Sequence, residues 1–163
     1  MGSRSKIVKS LEKAYIAGFL DGDGSLMLQI KKRGDSTRGI RFMATICFYQ
    51  DTRHEKDLNW IRKVLGIGYL SKRKDGMSEL RINSYKQVGS ILESLLPFIR
   101  FKKLQAHALR DACEVLSNTK FKMLSKRQLV KLVDCILIIQ GNNYVTKKKK
   151  TRDELYTIIG LTP

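Results

Sequence analysis

Acids are scarce in this chain. Asp and Glu number 15 against 32 Lys and Arg in 163 residues, a formal net charge of +17. So large an excess repels itself, and a polyanionic partner is the natural reason to carry it. Nucleic acid fits that role ahead of an anionic membrane surface. Cysteine is also sparse: Cys47, Cys113 and Cys135 are far apart and odd in number. Without a C-x-x-C pair, neither a zinc module nor a disulfide framework is indicated. Each cysteine reads as a small buried hydrophobe of a soluble protein in a reducing, intracellular compartment. No apolar run approaches the roughly 20 residues that span a bilayer, so no membrane partner is expected. The N-terminus, MGSRSKIVKSLEK, lacks a signal-peptide core, and its Met-Gly-Ser start reads as a cloning remnant. There is no Gly-Lys-Ser/Thr nucleotide loop.

What is present suits one domain with a sizeable core: 42% of the residues are hydrophobic. Residues 1–9 read as an extension, 10–141 as the domain, and 142–163 as a basic tail with a short helix. Ser10 is placed to cap a helix whose apolar or small positions are Leu11, Ala14, Tyr15, Ala17, Gly18 and Phe19. Residues 25–33 favour a strand, followed by a turn at Gly34-Asp35-Ser36. Residues 40–49 alternate, with Phe42, Ala44, Ile46 and Phe48 on one face, which predicts a half-buried strand. Leu58, Ile61 and Leu65 mark a helix over 54–65, stopped by Gly66. A second hairpin, 67–73 and 78–84, turns at Asp75-Gly76. Helices are expected at 86–96, 101–116 and 125–140, and Thr151 to Glu154 has the capping-box pattern for a last one. Helices between hairpins, rather than between single strands, predict an α+β fold with an antiparallel sheet.

One face of such a sheet can stay wet. Gln29, Lys31, Arg33, Arg41, Arg73 and Arg81 fall on the polar faces of the expected strands. Arg and Lys suit guanine edges, and Gln suits adenine, in the major groove of DNA.

The first helix ends on Asp21-Gly22-Asp23-Gly24. A helix C-terminus already carries about half a negative charge, so two carboxylates there are locally unfavourable. A divalent cation relieves the conflict, and carboxylates, carbonyls and water are the ligands Mg²⁺ prefers. The register excludes an EF-hand: counted from Asp21, the sixth residue is Leu26 and the twelfth Lys32. On the same helix Ala14 and Gly18 share a face, with Ala17 beside them, which would let another helix approach closely.

AGFLDGDGS, Ala17 to Ser25, closely resembles the signature of LAGLIDADG homing endonucleases. The αββαββα order, the strand directly after the motif, Gln50 closing the second strand and the Phe-Lys-Lys-Leu-Gln-Ala segment after the third helix strengthen the likeness, which covers about residues 10–116. The resemblance implies an αββαββα core whose antiparallel sheet forms a DNA-binding saddle, with extra C-terminal helices. It implies a site-specific double-strand DNA endonuclease using Mg²⁺ at a long, pseudo-palindromic site. Because the motif occurs once, it implies a homodimer joined through Ala14, Ala17 and Gly18. In the family's pattern Asp23 holds metal together with the Gly22 carbonyl, Gln50 helps place water, and a basic residue, Lys102 or Lys103 with Lys102 the better match, lies near the scissile phosphate; Asp23, Gln50 and Lys102 are the catalytic candidates. Asp21 matches the other motif acid, with no direct role in the chemistry. His54 falls where relatives carry a basic residue. The rival reading is a non-cleaving nucleic-acid-binding protein of the same fold, an intron-splicing maturase or a transcription-regulator relative.

Overall fold

The computed structural model describes residues 2–34 and 39–162, with side chains described from residue 9 onward. The order is α1 (Gly2–Asp23), β1 (Gly24–Lys32), β2 (Ile40–Asp51), α2 (Glu55–Leu65), β3 (Tyr69–Lys72), β4 (Met77–Ile82), α3 (Tyr85–Leu95), α4 (Lys103–Asn118), α5 (Lys126–Asn142) and α6 (Arg152–Ile159). Single 3-10 turns precede α2 and α5. The helix–hairpin–helix–hairpin pattern is as the sequence predicts. The helix expected to begin at Ser10 starts instead at Gly2, so Ser10 lies exposed within α1 rather than capping it. The turn expected at Gly34-Asp35-Ser36 lies largely outside the described residues.

All four strands join one antiparallel sheet in the order β1-β2-β4-β3. The two hairpins meet through β2 and β4, where Ile46 pairs with Ile82 and Phe48 with Leu80. Leu26 and Leu28 of β1, Phe42, Ala44, Ile46 and Phe48 of β2, and Leu80 and Ile82 of β4 are buried. With Ile16, Ala17 and Leu20 of α1 and the apolar stripes of α3, α4 and α5 they form one core. Phe19 of α1 stacks on Phe48 with centroids 6.0 Å apart, locking the helix over the sheet.

The second face of β2 is less open than its alternation predicts. Thr45 and Cys47 are also fully buried. Met27 lies opposite Thr45, whose hydroxyl donates to Asn83 Oδ1 at 2.8 Å. Ser25 and Arg81 flank Cys47 from the two neighbouring strands.

Local signals explain the ends of most elements. Gly66 takes φ +72°, a left-handed cap that only glycine adopts cheaply, and its amide closes α2 on the Arg62 carbonyl. In the β3–β4 turn Asp75 accepts from the Met77 amide at 3.3 Å. Ser125 with Gln128, and Thr151 with Glu154, form full capping boxes. Among the described residues no helix is long and apolar enough to cross a membrane. All three cysteines are free and buried. Burial pushes their thiols up, Cys47 and Cys135 to about 11 and Cys113 to about 12.

Candidate active site and nucleic-acid face

The motif helix passes into β1 without a single loop residue: Asp23 ends α1 and Gly24 opens the strand. Only glycine fits that junction. A Cβ on Gly24 would stand 2.8 Å from both the Cα and the carbonyl oxygen of Leu20, backbone atoms that cannot turn aside. The two motif acids leave this corner in different directions. Asp21 points inward, 8% exposed, and accepts three backbone amides that lead into α4: Arg100 at 2.7 Å and Phe101 at 3.3 Å on Oδ2, and Lys102 at 3.0 Å on Oδ1. It therefore joins the end of α1 to the start of α4. Asp23 is exposed, and among the described residues nothing hydrogen-bonds or ion-pairs with its carboxylate. Gly22 beside it is exposed too.

Lys102 connects the two. Its own amide is held by Asp21, and its Nζ donates to the Asp21 carbonyl. Partial burial draws its ammonium below the ordinary lysine range, against the opposing pull of the Asp21 and Asp23 carboxylates. A single side chain thus carries a proton-rich, partly desolvated nitrogen to the end of the motif helix.

Gln50 reaches the same edge of the sheet from β2. Gly24 pairs with Phe48, and Gln50 lies two residues further on the same face, about 7 Å along the strand. Its side-chain oxygen accepts from the Asp51 amide at 2.9 Å. It lines a small cavity with Tyr15, Phe19, His54 and Asp57, so His54 does come to the neighbourhood of the site. Among the described residues no group of three or more His, Cys, Asp or Glu side chains could hold a metal. Among the described residues the end of the motif helix offers one exposed, unpaired motif carboxylate, Asp23, and nearby backbone carbonyls. That donor set suits Mg²⁺, which commonly takes one or two carboxylates and fills its octahedron with water and substrate phosphate.

The expected base-reading residues divide in two. Gln29, Lys31, Arg41 and Arg81 share one sheet face: Gln29 lies opposite Met43, Lys31 opposite Arg41, and Arg81 between Cys47 and Tyr69. Lys31 and Arg41, both exposed and directly opposed, repel each other until an anion lies over them. Arg33 and Arg73 lie just beyond strand ends. The Arg33 amide donates to the Gly39 carbonyl at 2.7 Å, and the Arg73 guanidinium pairs with Asp75 at 2.7 Å. Arg81 is engaged within its own strand by Glu79.

On α1, Gly18 and Gly22 are exposed and a Cβ on either would meet open space. Leu11 and Tyr15, two turns and one turn before Gly18, are 65% and 63% exposed. Ala14 is partly exposed. Ala17 departs from the expectation: it is fully buried inside its own chain against the core, so it offers no surface to a second copy. Helix periodicity alone did not separate the two small-residue faces.

One neighbourhood escaped the sequence reading. Lys148 and Lys150 line a cavity with Gln29 and Lys31 against β1. Gln140 holds the Lys150 backbone through both its carbonyl and its amide. The lysine run was visible, but its docking beside the first strand was not.

An α+β core thus carries a basic sheet face and, at the end of the motif helix, an exposed acid, the combination expected of a protein that acts on nucleic acid. The LAGLIDADG endonuclease family model matches residues 16–112, and the chain belongs to that family. It is 36% identical over 110 residues to DNA endonuclease I-CvuI of Chlorella vulgaris, covering 68% of each chain. It is 28% identical over 140 residues to DNA endonuclease I-CreI of Chlamydomonas reinhardtii, covering 86% of this chain and 83% of that one. The crystal structure of I-CvuI in complex with its target in the presence of calcium superimposes with a TM-score of 0.79 at 26% identity, over 96% of this chain and 99% of the other.

Proposed function

We propose that the chain is a site-specific homing endonuclease that cuts both strands of a long, pseudo-palindromic DNA site as a Mg²⁺-dependent homodimer. The observation that carries this reading is the divergence of the two motif acids. Asp21 is consumed by three amides, whereas Asp23 is left exposed and unpaired on a helix end where its charge is unfavourable. A pure binding protein has no use for an acid so placed on a chain of net charge +17.

Asp23 and the Gly22 carbonyl would hold the metal, which when bound supplies Lewis acidity and a water of lowered pKa. Lys102, fixed at both its amide and its ammonium, stabilises negative charge on the scissile phosphate or orients water there. Gln50 positions water on the other side of the acid. Two copies of α1 meet through Leu11, Tyr15, Gly18 and Gly22, which brings the two Asp23 carboxylates together over the cutting sites. Each glycine at 18 and 22 costs its helix about 1 kcal/mol relative to alanine, a cost without purpose inside this chain because a Cβ at either position would meet nothing within 4 Å among the described residues beyond the helix's own backbone. Gln29, Lys31, Arg41 and Arg81 read bases in the major groove. Lys148 and Lys150, beside Gln29 and Lys31, take phosphates, with Arg33 and Arg73 at the margins.

The test is selection of cut sites from a randomised duplex library in Mg²⁺. One family of nearly palindromic sites is expected. Protein that binds the library in a salt-dependent manner and cuts nothing would leave the non-cleaving binder as the function.

A further inference from the structure

A carboxylate lies in the middle of the face assigned to DNA. Glu79 of β4 is 8% exposed, with Tyr49 of β2 and Ser71 of β3 as its cross-strand neighbours. A negative group there opposes a polyanion, so its retention on that face needs a reason. Its contacts supply one. Oε1 accepts from Arg81 Nε at 2.7 Å and from the Ser71 hydroxyl at 3.3 Å, and Oε2 accepts from Arg81 Nη2 at 3.3 Å. The Cys47 thiol lies 4.0 Å from Oε2. The carboxylate is therefore walled in by its own sheet and grips Arg81 along one side of the guanidinium.

A guanidinium has five N–H donors in a rigid planar fork. Glu79 occupies Nε and one hydrogen of Nη2. What remains is the end of the plane, both hydrogens of Nη1 and the second of Nη2. That end is the two-pronged donor that matches O6 and N7 of guanine. Free in solution, an arginine side chain spreads this fork over many rotamers. Held along its other side, it presents one.

We propose that Glu79 is a positioning residue for sequence recognition: it fixes Arg81 so that its outer fork selects one guanine in each half-site. This rests on the proposal of site-specific DNA binding. Arg81 touches the base, Glu79 touches Arg81 and not the DNA, and Ser71 braces the carboxylate from the neighbouring strand. Glu79 thereby also keeps a second use of Arg81, a non-selective grip on phosphate, from prevailing.

The experiment measures binding by gel shift in Ca²⁺ to the preferred site and to the set of single base-pair variants across a half-site. It uses wild type, Glu79→Gln, Arg81→Ala and the double variant. In wild type, replacing the assigned guanine should weaken binding by roughly 5- to 150-fold, the range of a good two-pronged contact. Arg81→Ala should abolish that preference at one position and leave the others. Glu79→Gln should flatten most of the preference at the same position, with all other positions unchanged and binding to unrelated DNA equal or tighter. In the double variant the Gln substitution should add nothing further. Retention of the guanine preference in Glu79→Gln would overturn the proposal. So would a uniform loss at every position, which marks a merely structural role for Glu79, or a preference at that position for a base other than guanine. A wild type with no base preference anywhere would instead remove the underlying reading of site-specific binding.

Discussion

Exchanging each motif acid for its amide should separate folding from chemistry. In Asp21→Asn one carboxylate oxygen becomes an NH₂ group. The best orientation keeps the oxygen facing the Arg100 and Phe101 amides and turns the NH₂ against the Lys102 amide, two donors face to face. One charge-assisted bond is lost and two become neutral, together about 3 kcal/mol. For a chain of 163 residues that lowers Tm by roughly 6–12 °C. Lys102 should also be held less firmly: its amide loses the carboxylate oxygen and its ammonium the attraction of the Asp21 charge, while the bond from Nζ to the main-chain carbonyl of residue 21 remains. In Asp23→Asn no contact within the chain is broken, and one negative charge leaves a helix C-terminus, worth roughly 0.3–1 kcal/mol in favour of the fold. Its Tm should hold or rise slightly. Circular dichroism melts read the first effect, and cleavage of a plasmid bearing the selected site in Mg²⁺ reads the second. Cleavage should vanish in Asp23→Asn while gel-shift binding persists. An Asp21→Asn protein melting within about 2 °C of wild type would refute the structural assignment of that acid. An Asp23→Asn protein cutting at near the wild-type rate would refute the metal assignment.

Gly24→Ala should cost about 1–3 kcal/mol, since its Cβ meets Leu20 backbone atoms at 2.8 Å, and cleavage should fall further than stability because Asp23 is carried out of position; a thermal melt beside a cleavage time course measures both. Gly18→Leu should leave the melting of the isolated chain nearly unchanged, as a Cβ there would meet open space beyond its own helix, but should shift sedimentation from dimer to monomer and abolish cutting. The three buried thiols, held up at about 11 to 12, should resist a disulfide reagent at pH 8 until guanidinium is added; rapid labelling of the native protein would contradict their burial. The Arg81 guanidinium draws Glu79 below the ordinary carboxylate range. Its contribution is therefore complete above the unfolded value and fades as pH falls through the lower folded one, so Glu79→Gln should lessen the loss of Tm between neutral pH and the acid range.

The sequence makes the motif helix, both hairpins and the last capping box legible, because each is written in contiguous residues. Contacts between distant segments were harder to read. Asp21 is satisfied by amides about eighty residues away, and no local pattern announces that. Ala17 and Gly18 are adjacent and both small, yet one faces the core and the other solvent; the turn angle of the helix, set by where Phe19 stacks on Phe48, decides between them. Glu79 and Arg81 stand two apart on a strand, which places them on one face, but whether such a pair closes or splays depends on the neighbours Ser71 and Cys47 across the sheet. The helix running back to Gly2 lacks a start signal at its observed beginning, and the cap-like Ser10 misleads because a polar residue on an exposed helix face looks the same.

Because α1 runs into β1 with no intervening loop, the strand behaves as a graduated rule whose zero mark is Asp23. Each residue of an extended strand advances about 3.3 Å, close to the 3.4 Å step of successive bases along one DNA strand. Gln29 and Lys31 thus stand about six and eight divisions from the zero, at a spacing set by covalent length alone. On the proposed reading, exchanging the side chains on the rule should alter which letters are accepted without moving the cut. Adding or deleting one residue in β1 should displace every division beyond it and turn the proposed readers over to the opposite face, a change that substitution alone does not produce.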